Sequence, residues 1–80
     1  MEVFLSGPLR DAVGGLASIE VEAETIRELL TRLTDRYPKL EAHLEDGIAV
    51  AIDGTIYRDS WETPIPEHSE VYLLPRIAGG

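Results

Sequence analysis

Eighty residues suffice for one small domain and are too few for two. The 44% apolar content supports a packed core, and the absence of cysteine excludes disulfides, thiolate metal sites and a cysteine nucleophile. Fifteen acidic against seven basic residues, a formal net charge of -8, oppose the phosphate neutralisation that nucleic-acid binding requires and favour solubility or a protein partner with a basic or mixed surface.

From the N-terminus, Met1-Glu2-Val3-Phe4-Leu5 has no positively charged n-region, and no apolar run approaches the ~20 residues that cross a bilayer. A cytoplasmic protein with no membrane contact is expected. Glu2 to Ser6 reads as a first strand, with Val3 and Leu5 on one face and Glu2, Phe4 and Ser6 on the other. Gly7-Pro8 ends it, Leu9 to Gly15 reads as a connector with a Gly14-Gly15 turn, and Ala17 to Glu22 alternates around Ile19 and Val21 as a second strand.

Thr25-Ile26-Arg27-Glu28 fits a capping box and predicts a helix start, because the hydroxyl and carboxylate satisfy amides that lack helical acceptors. Ile26, Leu29, Leu30 and Leu33 fall on one stripe that should cover a sheet, and Pro38 ends the helix near Arg36 or Tyr37. A short helical turn with Leu40 and Leu44 inward follows. Gly47 opens a third strand, Ile48 to Asp53, and Asp53-Gly54 turns it into Thr55-Ile56-Tyr57. Pro64 and Pro66 keep Arg58 to Ser69 irregular before Glu70 to Leu74 resumes strand character. The order is β-β-α-β-β, with a short additional strand near Thr55: an α+β domain of one helix on a sheet.

Several chemically suggestive residues have plain structural readings. His43 and His68 lie far apart without ligand spacing, so no metal site is expected. Glu20, Glu22 and Glu24 alternate as the wet side of a strand, and the cluster Glu41, Glu45 and Asp46 lacks an EF-hand pattern. Trp61 reads as an aromatic covering the edge of the core. Gly14-Gly15 has neither a P-loop lysine nor Rossmann spacing beside it.

The chemistry is read from the last residues. Glu70-Val71-Tyr72-Leu73-Leu74-Pro75-Arg76-Ile77-Ala78-Gly79-Gly80 passes from an apolar strand through a proline into two glycines. Glycine has no Cβ and packs poorly, so Gly79 and Gly80 make the thinnest tail a polypeptide can offer to a narrow channel. If Val71 and Leu73 face the helix, alternation sends Tyr72 and Leu74 to the other face of the sheet, where apolar groups suit docking.

This ending resembles that of the MoaD/ThiS family of ubiquitin-like sulfur carriers, as do Leu9-Arg10-Asp11 after the first strand, the capped helix and Ala51-Ile52-Asp53-Gly54. The resemblance implies a β-grasp fold: a mixed sheet of four to five strands covered by one main helix over residues 1–76, with 77–80 as a flexible tail. It also implies that Gly80 is the reacting carboxyl group, adenylated at the expense of ATP by an E1-like adenylating enzyme and converted to a thiocarboxylate. Ile77, Ala78 and Gly79 would thread the partner, and Tyr72, Leu74, Pro75 and Arg76 would contact it. Arg76 stands where many relatives place a proline or an apolar residue, which makes its contact ionic, and Ser6 replaces an exposed aromatic of some relatives. The chain itself would bind no cofactor and would be a carrier, not an enzyme.

Length and Leu9-Arg10-Asp11 are most similar to the small subunit of molybdopterin synthase, whose large subunit would be the sulfur acceptor. Thiazole synthase in thiamine formation, cysteine synthesis, tRNA thiolation and tagging of lysines stand as alternative destinations. A ubiquitin-like interaction module that is never activated is the alternative of another class.

Overall fold

The computed structural model describes residues 1–75. Five strands form one sheet: β1 (Glu2–Leu5), β2 (Ser18–Glu20), β3 (Ile48–Ile52), β4 (Thr55–Tyr57) and β5 (Val71–Pro75), in the order β2-β1-β5-β3-β4. β1 and β5 run parallel at its centre, and the other pairings are antiparallel. The sheet is therefore mixed, as a β-grasp requires, and the last strand lies inside it with neighbours on both sides.

Alternation assigns the two faces. Val3, Leu5, Ile19, Ile48, Val50, Ile52, Val71 and Leu73 are buried on one of them. Helix α1 (Ile26–Arg36) lays Ile26, Leu29, Leu30 and Leu33 over that face, and α2 (Leu40–Asp46) adds Leu40. Leu44 packs half-buried against the same cluster. Thr25 caps α1 through its hydroxyl, which accepts from the Glu28 amide at 3.2 Å, while the Glu28 carboxylate reaches the amide of Glu24 at 3.1 Å. Tyr37 closes the helix one residue before Pro38, where the proline ring disfavours helical geometry.

The connector after β1 differs from the sequence expectation. Gly7–Val13 winds as a 3₁₀ helix, with Pro8 in its first turn and Leu9, Ala12 and Val13 buried. Gly14 ends it at φ 74°, a left-handed geometry that costs an L side chain energy and glycine little. Read as a linker on its glycines, this segment instead closes one side of the core. β1, β2 and β3 are also shorter than expected, because Ser6, Ala17, Val21, Glu22 and Asp53 fall outside them, and β5 begins at Val71 and includes Pro75 where Glu70 to Leu74 was expected.

The proline-bearing stretch 58–70 is irregular as expected, yet it is fastened to α1. Amides of Ile26 and Arg27 donate to the carbonyls of Thr63 and Trp61, at 3.1 and 2.8 Å, and the Ile65 amide donates to Glu24 at 2.8 Å. The first two bonds satisfy amides that a helix start leaves without acceptors. Ile65 is buried, and Trp61 sits half-buried against the core, the covering role read for it.

Candidate functional site

With one face of the sheet covered, the functional question concerns the other. One row of paired residues crosses all five strands on the open side: Ser18 beside Phe4, Phe4 beside Tyr72, Tyr72 beside Ala51, and Ala51 beside Ile56. The Phe4 and Tyr72 rings stack with centroids 4.9 Å apart and planes 22° from parallel. Tyr72 is 39% exposed and Ile56 52% exposed, although both are large apolar side chains. A step toward the end of β5, Leu74 pairs with Ala49, and both are half-buried. The two alanines keep the centre low, with larger side chains rising on either side.

This face leads to the end of β5, the last described strand. β5 is held on both sides: Leu73 accepts from the Ser6 amide at 3.3 Å, and Pro75 is in register with Ile48. Proline has no amide proton, so the ladder loses a donor at that position. On the adjoining strand, the Arg10 guanidinium donates to the Leu5 carbonyl at 3.1 Å and ties the 3₁₀ helix to the same end of the sheet.

Of the residues singled out from the sequence, Tyr72, Leu74 and Pro75 lie together along this strand, Tyr72 and Leu74 on the open face and Pro75 at its end. Arg76, Ile77, Ala78, Gly79 and Gly80 lie outside the described residues. Phe4 and Ile56 belong to the face and were not singled out. Phe4's side of β1 was legible, but its pairing with β5 joins residues far apart in sequence. Ile56 follows a two-residue turn, and only the sheet register shows which way it points.

No three His, Cys, Asp or Glu side chains among the described residues are grouped to hold a metal ion. His68 is exposed and His43 is half-buried on α2. The crevice where Leu30, Leu33 and Leu40 approach Leu73 is almost wholly apolar and too tight for a water molecule. No described helix is long and apolar enough to cross a membrane.

A mixed sheet with a central parallel strand pair and its helices gathered on one face defines a ubiquitin-like β-grasp domain. The chain belongs to the ThiS family, whose model matches residues 3–80, and is thus a ubiquitin-like protein of the sulfur-carrier type. It is similar in structure to the small archaeal modifier protein 1 from Methanosarcina acetivorans, with 28% identity over 99% of this chain and 94% of that one, and a TM-score of 0.80. The Amycolatopsis orientalis BexX/CysO complex contains a chain 23% identical over 99% of this chain and 98% of its own, with a TM-score of 0.79. The complex of subunits 1 and 2 of molybdopterin-converting factor from Helicobacter pylori contains another, 24% identical over 99% of this chain and 96% of its own, at a TM-score of 0.69. No curated protein matches the sequence.

Proposed function

We propose that this protein carries sulfur as a thiocarboxylate on Gly80, in the cytoplasm, as the small subunit of a molybdopterin synthase in molybdenum cofactor formation. The observation that carries the reading is the apolar open face, which adjoins the strand that leads into Gly79-Gly80. A carboxylate is a poor electrophile. On this reading its oxygen attacks the α-phosphate of ATP on an adenylating enzyme and releases pyrophosphate. Sulfide, supplied by the sulfur donor, then adds to the carbonyl carbon and expels AMP. The thiocarboxylate so formed is a soft nucleophile that needs no cysteine in this chain.

ATP is consumed by the partner, and this chain acts as cosubstrate or accessory subunit. Tyr72, Leu74, Pro75 and Arg76 hold the partner while Ile77, Ala78 and Gly79 enter its channel. The large subunit of molybdopterin synthase is the acceptor that this reading favours. Likeness to the Methanosarcina modifier protein supports a second reading, attachment of Gly80 to lysines of other proteins.

The test is intact-mass spectrometry after incubation with ATP, a sulfur donor and the adenylating enzyme from the same genome. A product heavier by the difference between sulfur and oxygen is expected. Deletion of Gly80, or addition of a residue after it, abolishes the product and leaves the fold intact. Sulfur loading that survives either change refutes the mechanism.

A further inference from the structure

At the end of the open face away from Pro75, each of four neighbouring strands brings one carboxylate. Glu20 closes β2, Glu2 opens β1, Glu70 immediately precedes β5, and Asp53 immediately follows β3. Because β1 and β5 run parallel while β2 and β3 oppose them, all four arrive at the same edge. Their order, Glu20, Glu2, Glu70 and Asp53, follows the sheet order. All four residues are exposed. At about 4.8 Å per strand the line is ~14 Å wide, and five residue steps along β5 place it ~17 Å from Pro75.

The negative charge of this line is poorly compensated within the fold. Glu2 and Glu20 are directly paired across β1 and β2, and like charges in that position are unfavourable. Their neighbours are sparse: Glu2 accepts from Ser18 Oγ at 2.8 Å, Asp53 Oδ1 accepts from the Glu70 amide at 2.9 Å, and the Met1 ammonium lies 3.7 Å from Glu20 but 2.8 Å from Glu22. On the helical side charges are matched within the chain, Arg27 with Glu62 and Arg32 with Glu28, and the Arg36 guanidinium is tied to the Glu20 backbone carbonyl. Among the described residues, the strand positions on the open face carry no basic side chain. A line of carboxylates repels phosphate groups, so neither nucleic acid nor an anionic bilayer fits it.

We infer that the open face is a docking surface with a direction, made for the adenylating enzyme and matched to a strip of Arg or Lys on it about 17 Å from the mouth of its channel, with an apolar patch between the two. The carboxylate line meets the basic strip, the Phe4, Tyr72, Leu74 and Ile56 surface meets the patch, and the tail is thereby aimed at the channel. The inference rests on the sulfur-carrier reading for the partner's identity and adds the chemistry by which that partner is recognised. Oppositely charged strips speed encounter and fix orientation more than they add affinity.

The experiment compares two double variants with the same change in net charge. Glu2→Lys with Glu70→Lys alters the carboxylate line, and Glu41→Lys with Glu45→Lys alters exposed positions on α2. Association with the adenylating enzyme from the same genome is followed by stopped flow without ATP, from about 0.01 to 0.15 M salt, after matched denaturation midpoints confirm that both variants fold. The first variant should associate at least about tenfold more slowly at low salt and lose most of its salt dependence, while the second changes less than about twofold. Equal slowing in both variants means that net charge alone acts and overturns the inference, as does an unaffected first variant. Failure of the unmodified protein to bind overturns the functional reading as well.

Discussion

The two faces of the sheet are built from the same strands, yet they answer different demands. On the covered face Val3, Val50 and Val71 are wholly buried under α1, and removal of apolar surface from water is the return on ordering the chain. On the other, Tyr72 and Ile56 remain in water and the charged edge repels itself. Surface left in this condition contributes little to folding and is available for association. Substitution should therefore separate stability from binding according to the face it touches.

The largest effect is expected on the covered face. Leu33→Ala removes a fully buried side chain from α1 and should cost ~2–5 kcal/mol, read as a lower denaturation midpoint with an unchanged slope. A midpoint equal to that of the unmodified protein would contradict the packing of α1 on the sheet. Leu74→Asp should reverse the pattern. It places a carboxylate in a patch that is desolvated on docking, so affinity for the adenylating enzyme should fall at least about tenfold, or ~1.4 kcal/mol, with a smaller loss of stability than Leu33→Ala. Unchanged affinity in a titration would remove this face from the contact.

A smaller effect belongs to the start of the helix. Thr25→Ala deletes the hydroxyl that accepts from the Glu28 amide and should cost ~1 kcal/mol without altering partner affinity. Thermal unfolding and binding, measured on one preparation, distinguish this outcome from an effect on docking.

The smallest effect concerns Met1 and Glu22. Their hydrogen bond is the chief reason that the ammonium pKa lies above its ordinary 8.0 and the Glu22 pKa below its ordinary 4.5. The raised ammonium contributes stability below 8.0 and loses it as pH rises through the folded value; the depressed carboxylate contributes above 4.5 and loses it as pH falls through the folded value. The pair is thus fully effective between those two limits. Glu22→Gln should lower the unfolding midpoint slightly at neutral pH and converge with the unmodified protein in acid and alkali. Parallel curves at every pH would assign the effect to something other than this pair.

Much of the framework was legible in the sequence. The stripe Ile26, Leu29, Leu30 and Leu33 with Thr25 before it marked α1, and Asp53-Gly54 marked the β3–β4 hairpin, because each signal is local. Tyr72 and Leu74 were legible as open-face residues for the same reason: alternation needs only one strand. The segment 7–13 was missed because Gly14-Gly15 signals a turn, while burial of Leu9, Ala12 and Val13 depends on what lies above them. Phe4 and Ile56 escaped because their membership of the face is a property of register.

The sequence by itself determined where α1 starts and stops, where the β3–β4 hairpin turns and which strand side chains alternate inward. These follow from backbone sterics and from periodicity within a few residues. Only the tertiary structure decided that β5 runs parallel to β1 between it and β3, so that Phe4 stacks on Tyr72 and four carboxylates from separate strands form one edge. Strand order is set by burying all the inward faces under one helical layer at once, and no stretch of sequence contains that condition alone.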